Sequence, residues 1–170
     1  MPGQPKRDVA IDRDGEILVD KQGTLHIEEI LERDGVYVST TAGVSMWPML
    51  RNRRDTVVIT PAPAQLHRYD VPLYRSGDRY VLHRIIGIEP DGYAIRGDNC
   101  IGIEHVRHDQ VIGVLTSFYR DDREIDMGSP AYRAYVRIWV AVHPLYRLGK
   151  TAKSAAGRIV RRLRRTGSEQ

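Results

Sequence analysis

The segment Gly43-Val-Ser-Met-Trp-Pro-Met-Leu50 sets a serine between a glycine and a Met-x-Pro turn. A serine hydroxyl is a poor nucleophile until a base takes its proton. The candidate base is His83, inside Tyr80-Val-Leu-His83-Arg84-Ile-Ile. An imidazole with its ordinary pKa near ~6.5 accepts a proton at neutral pH without the strong desolvation that a lysine base requires. Arg96-Gly-Asp98-Asn99 follows. Asp98 has two readings of equal weight: it accepts the second ring N–H of His83, as the third member of a triad does, or it is structural, one of three acids, with Asp55 and Asp70, that could pair with Arg84. The backbone N–H of Ser45 is the natural oxyanion donor, a group worth roughly 3–4 kcal/mol in a transition state. Met46, Trp47 and Val81 are the residues expected to line a substrate site, with core filling as their ordinary role. Cys100 competes for the base only by displacing Ser45 and reads as a core or loop thiol. His105-x-x-His108 would share a face only on a helix, and it lies in a charged, glycine-containing stretch with no third ligand nearby, so a solvated loop and no metal are expected.

These residues need rigid elements around them. Thr24 is an N-cap candidate, Leu25, Ile27, Ile30 and Leu31 have helical spacing, and Gly35 is a stop, which predicts a helix over 25–34. A short strand and turn are expected over 16–23, after a loose polar opening. From Val36 the texture becomes short β-rich runs, at 36–41, 56–60, 71–75, 80–88, 93–97 and 111–119, separated by Pro-Ala-Pro, Ser-Gly-Asp, Pro-Asp-Gly and Gly-Asp-Asn turns. Runs this short, one containing Pro72, predict a mainly β (α+β) fold built on a coiled antiparallel sheet rather than a βαβ layer. After Pro130 the spacing is helical again: Tyr132, Tyr135, Val136, Trp139, Val140 and His143 form one stripe, and Leu145, Leu148, Ala152, Ala156, Ile159 and Leu163 a second. Pro144 is expected to kink or divide this helix. The organisation expected is an N-terminal extension with a short helix (1–35), a β domain (36–128) and a kinked basic amphipathic helical tail (129–170).

Taken in order, the three boxes resemble those of the signal-peptidase and LexA-like superfamily of serine peptidases, over about residues 36–119. In that family the Ser-Met-x-Pro serine is the nucleophile, a strand residue further on is the general base, and a Gly-Asp-Asn box lies beside them. A histidine before Arg-Ile makes the likeness one to the Ser-His branch of endoplasmic-reticulum and spore-former signal peptidases, not to the lysine branch of bacterial leader peptidases and self-cleaving repressors. The resemblance implies a LexA/signal-peptidase-like β domain, no cofactor, and cleavage of an extended peptide after small residues. Gly43 stands where the family often has a serine that helps hold the oxyanion. Arg54-Asp55 stands for the usual Gly-Asp.

Composition fits such an enzyme and excludes other classes. The chain has 170 residues and one cysteine, so no intramolecular disulfide forms, and its length suits one domain plus a tail. Its longest purely apolar run, Ile138–Val142, falls far short of the ~20 residues of a spanning helix. The formal charge of +4 is uneven: residues 1–146 carry 18 Lys+Arg against 21 Asp+Glu, while 147–170 carry 8 against 1. The expected protein is therefore a cytoplasmic serine endopeptidase with a Ser45/His83 dyad, acting on a peptide or protein precursor. Peripheral contact with an anionic membrane surface is expected through the basic tail, and nucleic acid is not expected as a partner. The alternatives are a LexA-like self-cleaving or DNA-binding regulatory module, and a non-catalytic remnant of the fold.

Overall fold

The computed structural model describes residues 17–18 and 27–166. The loose opening, the Thr24 cap and the ends of the strand-turn expected over 16–23 lie outside the described residues. Two compact units divide between Tyr132 and Arg133.

The first unit is mainly β. Its elements are β1 (Ile17–Leu18), α1 (Ile27–Asp34), β2 (Tyr37–Thr40), β3 (Thr56–Pro61), β4 (Pro72–Ser76), β5 (Arg79–Leu82), β6 (Arg84–Glu89), β7 (Gly92–Arg96), β8 (Glu104–Arg107), a 3-10 turn (His108–Gln110), β9 (Val111–Arg120) and β10 (Arg123–Asp126); α2 (Pro130–Thr166) follows. One antiparallel sheet runs β1-β5-β4-β9-β3-β2, with β10 also on β9, and β6-β7-β8 form a second. The ten-residue β9 organises the larger sheet. One edge pairs with β3, and the other pairs first with β4 over Val111–Val114 and then with β10 over Ser117–Arg120.

The local reasons are visible in the sequence. Gly77-Asp78 and Pro90-Asp91 close two-residue hairpins between Ser76 and Arg79 and between Glu89 and Gly92. Pro72 is the first residue of β4, where its missing N–H costs the ladder least. Gly35 N–H bonds Leu31 carbonyl at 3.0 Å and ends α1. Ile27 and Leu31 of α1 are buried, and Glu28 ties the helix to the sheet through Arg75 at 3.2 Å and the Tyr80 hydroxyl. Val57, Ile59, Leu73, Leu115 and Phe118 are buried in the larger sheet, while Leu66, Tyr74, Val81, Ile85, Tyr93, Ile95 and Val106 form a contiguous apolar cluster.

Two expectations change, and a third narrows. The run 80–88 is two strands: β5 belongs to the large sheet, β6 to the small one, and His83 is the single residue at the corner between them. Continuous alternation fails there because His83, Arg84 and Ile85 are buried in succession. The stretch holding His105 and His108 contains β8 and a 3-10 turn instead of a loop, because β8 pairs with β7 and turns Val106 inward. Of the two outcomes expected at Pro144, division does not occur: α2 runs through it as one 37-residue helix.

The second unit, Arg133–Gln170, contains the body of α2. The helix starts on Ser129, whose hydroxyl accepts Tyr132 N–H at 3.3 Å, with Pro130 in the first turn. Trp139, His143 and Tyr146 stack along one face with ring centroids 5.5–6.4 Å apart. Val136 and His143 are buried, as the first stripe implies, and Ile138, Val142, Leu145 and Leu148 are exposed. No helix among the described residues is long and apolar enough to cross a membrane.

Candidate active site

The serine box is a turn-rich loop between β2 and β3. Trp47 N–H bonds Val44 carbonyl at 3.1 Å, Leu50 N–H bonds Met46 carbonyl at 2.9 Å, and the Trp47–Pro48 peptide is cis. Met46, Met49 and Leu50 anchor the loop as buried side chains. Its far end is fixed by Asp55, almost fully buried, whose Oδ2 accepts Arg51 N–H at 3.0 Å and Arg120 Nη2 at 3.1 Å. Arg53, two residues before this carboxylate, has φ +57°, in the left-handed region. Gly43 has φ +94°, in the left-handed region, and its N–H bonds Asn52 Oδ1 at 3.0 Å. A side chain at position 43 would strain that backbone, which is the local reason for glycine before Ser45.

The Gly-Asp-Asn box locks onto this loop. Asn99 N–H donates to Ser45 carbonyl at 2.8 Å, and its side-chain amide donates to Val44 carbonyl at 2.9 Å. Gly97 sits where three groups converge: a Cβ there would lie 2.8 Å from Ser45 carbonyl oxygen, 2.8 Å from Cys100 Sγ and 2.9 Å from His83 Nε2. Only a residue without a side chain lets the serine loop and the histidine ring approach across it.

Asp98 faces Arg84. It grips Arg84 in a buried bidentate pair, Nε to Oδ1 at 2.8 Å and Nη2 to Oδ2 at 2.7 Å. The same guanidinium donates to Tyr69 carbonyl at 3.1 Å, to the Tyr132 hydroxyl at 3.0 Å and toward Met49 Sδ at 2.9 Å. One buried cation thus joins the serine loop, the Gly-Asp-Asn box, the turn before β4 and the start of α2. Asp98 against Arg84 raises that guanidinium's pKa over the opposing effect of burial.

The carboxylate facing the histidine is Glu104, at the start of β8. Its Oε1 lies 3.1 Å from His83 Nδ1, and the Tyr74 hydroxyl lies 3.2 Å from the same nitrogen while donating to Glu104 Oε2 at 2.8 Å. In the neutral ring those partners favour the proton on Nδ1, because the Tyr74 hydroxyl donates to Glu104 and the Glu104 carboxylate accepts. His83 is only 4% exposed, and Nε2 has no hydrogen-bond partner. Burial depresses the pKa of this imidazole, but the Cys100 sulfur and the Glu104 carboxylate outweigh it and raise the value to about 9. Reciprocally, the hydrogen bond from His83, opposed by desolvation and assisted by Tyr74, lowers that of Glu104.

The residues expected at the site divide between two roles. Ser45, Met46 and Val81 line one cleft with Thr40, Gly43 and Leu82; Met46 and Val81 are buried in its wall, whereas Trp47 is about half exposed and is not among the lining residues. Cys100 is partly exposed in the loop after Asn99, a loop thiol as expected, and it lies beside His83. His105 pairs with Glu89 at 2.9 Å and His108 stacks edge-on against Tyr93, so the two histidines face different partners. No cluster of metal-ligating residues occurs among the described residues.

Glu104, Tyr74 and Gly97 were not singled out from sequence. A signal for Glu104 was present: it stands two before buried Val106, and a strand puts i and i+2 on one face. No family model matches the chain, and a search of curated proteins finds no significant match.

Proposed function

We propose that this chain is a serine endopeptidase of the signal-peptidase-like type. Ser45 is the nucleophile and His83 the general base. The observation that carries the reading is the meeting of His83 and the serine loop at Gly97: the ring is held through Nδ1 by Glu104 and Tyr74, and a Cβ on Gly97 would lie 2.9 Å from His83 Nε2 and 2.8 Å from the Ser45 carbonyl oxygen.

The substrate lies extended in the cleft between Thr40–Gly43 on one side and Tyr80–Leu82 on the other, adding main-chain hydrogen bonds along strand edges. As Ser45 Oγ attacks the scissile carbonyl, Nε2 takes its proton and the Ser45 N–H stabilises the oxyanion. The imidazolium formed is stabilised by Glu104, and it then protonates the leaving amine. Collapse of the tetrahedral intermediate leaves an acyl-enzyme, which water hydrolyses with His83 again as base. The small, largely apolar cleft wall of Gly43, Met46, Leu50 and Val81 suits small residues before the cut, as the family likeness implies.

Ser45→Ala and His83→Gln should each abolish cleavage of a peptide library with small residues before the cut, leaving the circular-dichroism spectrum unchanged. Full activity in either variant refutes the mechanism. Peripheral contact with an anionic membrane surface belongs to the same proposal and rests on the basic segment 147–170.

A further inference from the structure

We infer that α2 docks on an anionic lipid surface by inserting the apolar stripe Ile138, Val142, Leu145 and Leu148, with the basic residues that follow lying over the headgroups. This rests on the peripheral location proposed above and deepens it, naming the face and the physical mode: insertion supported by charge rather than charge alone.

The stripe advances by four, three and three residues, so the four side chains share one face of the helix. Among the described residues Leu145, Leu148 and Ile138 are the most exposed large apolar side chains, at 68%, 66% and 65%, and Val142 is 44% exposed. Four such side chains in one line form a contiguous apolar strip, unlike the scattered exposed residues found on any protein surface. In sequence the same spacing continues at Ala152, Ala156, Ile159 and Leu163, while Arg147, Lys150, Lys153, Arg158, Arg161, Arg162, Arg164 and Arg165 fall between these positions. An apolar strip flanked by cationic positions matches the boundary between acyl chains and anionic headgroups.

Charge decides between occupants. Two copies joined along this stripe would bring together two segments each carrying 8 Lys+Arg against 1 Asp+Glu, and they would repel. Nucleic acid would satisfy the charge but leave the apolar strip in water. An anionic bilayer satisfies both.

The test uses the full-length chain carrying Ser45→Ala, so that binding is read independently of peptidase activity. It is sedimented with phosphatidylcholine vesicles, with and without phosphatidylserine. The expected result is sedimentation with the anionic vesicles that is only partly reversed by salt, and loss of at least ~10-fold in partitioning for Ile138→Glu/Leu145→Glu. Leu145→Ala, which keeps helix propensity, should be intermediate, and thermal unfolding of each variant checks that the fold is retained. The inference is overturned if the glutamate pair binds as well as the parent, if the parent ignores anionic vesicles, or if the parent forms a concentration-dependent dimer that the glutamate pair abolishes. None of these outcomes alters the cleavage assay on Ser45 and His83.

Discussion

Glu104 Oε1 lies 3.1 Å from His83 Nδ1, and the Tyr74 hydroxyl bridges the two, so His83, at the corner between the two sheets, is held by a residue on a strand of the small one. Asp98, fourteen residues after Arg84 in sequence, has both oxygens committed to that arginine. The two acids beside the site therefore have separable roles.

The pH profile should distinguish them. With His83 raised to about 9, kcat/KM should climb with pH and level off above about 9 as Nε2 becomes free to accept a proton. Glu104→Gln should move that limb toward neutrality and lower the plateau by on the order of 10²-fold; Asp98→Asn should leave the limb in place. Stability follows the opposite course. The favourable interaction of charged His83 is fully present below its unfolded pKa near 6.5 and is lost as pH rises through about 9, so Tm should fall over that interval in the parent and remain flatter in Glu104→Gln. An unmoved limb in Glu104→Gln would contradict the assignment.

Arg84 should matter chiefly to folding. Arg84→Met leaves the Asp98 carboxylate buried and unpaired, and breaking one side of a buried ion pair costs about 3–5 kcal/mol. Urea denaturation should show this loss, and Arg84→Met/Asp98→Asn should recover part of it. A loss below about 1 kcal/mol, typical of surface pairs, would contradict the keystone role.

Gly97→Ala adds one methyl group within 2.9 Å of three atoms of the site. The serine loop or the imidazole must shift, and misplacement of about 1 Å costs on the order of 10²-fold in rate. Expected is a collapse of kcat with near-parental secondary structure, read by peptide hydrolysis and circular dichroism.

Cys100 neighbours His83 at Gly97, and the proposed mechanism does not use it. Cys100→Ala should keep cleavage and, by removing one cause of the raised His83 pKa, shift the alkaline limb downward. Iodoacetamide should inactivate the parent by filling the space beside Nε2 and spare Cys100→Ala. A dead Cys100→Ala with an active Ser45→Ala would instead make the thiol the nucleophile.

Much of this architecture follows from local pattern. The hairpin turns at Gly77-Asp78 and Pro90-Asp91, the mainly β body, the helical end and the separation of acidic body from basic tail are written in residues that act on their near neighbours. Ser45 and His83 are legible for the same reason, because each sits in a box of contiguous residues. Other features depend on elements far apart in the chain. The break at His83 arises because β5 and β6 join different sheets, and no local propensity sets which sheet a strand pairs with. Glu104 reaches the imidazole only through the pairing of β8 with β7, and Tyr74 only through that of β4 with β5. Asp98 was equally suited by type to His83 or Arg84; a bidentate guanidinium buried on every side decides it, because a carboxylate taken out of water needs the partner that fills both oxygens. The residue types proposed to carry the chemistry are determined by the sequence alone. Which acid meets which base was decided by how the two sheets meet, since burial and strand pairing are properties of the folded whole.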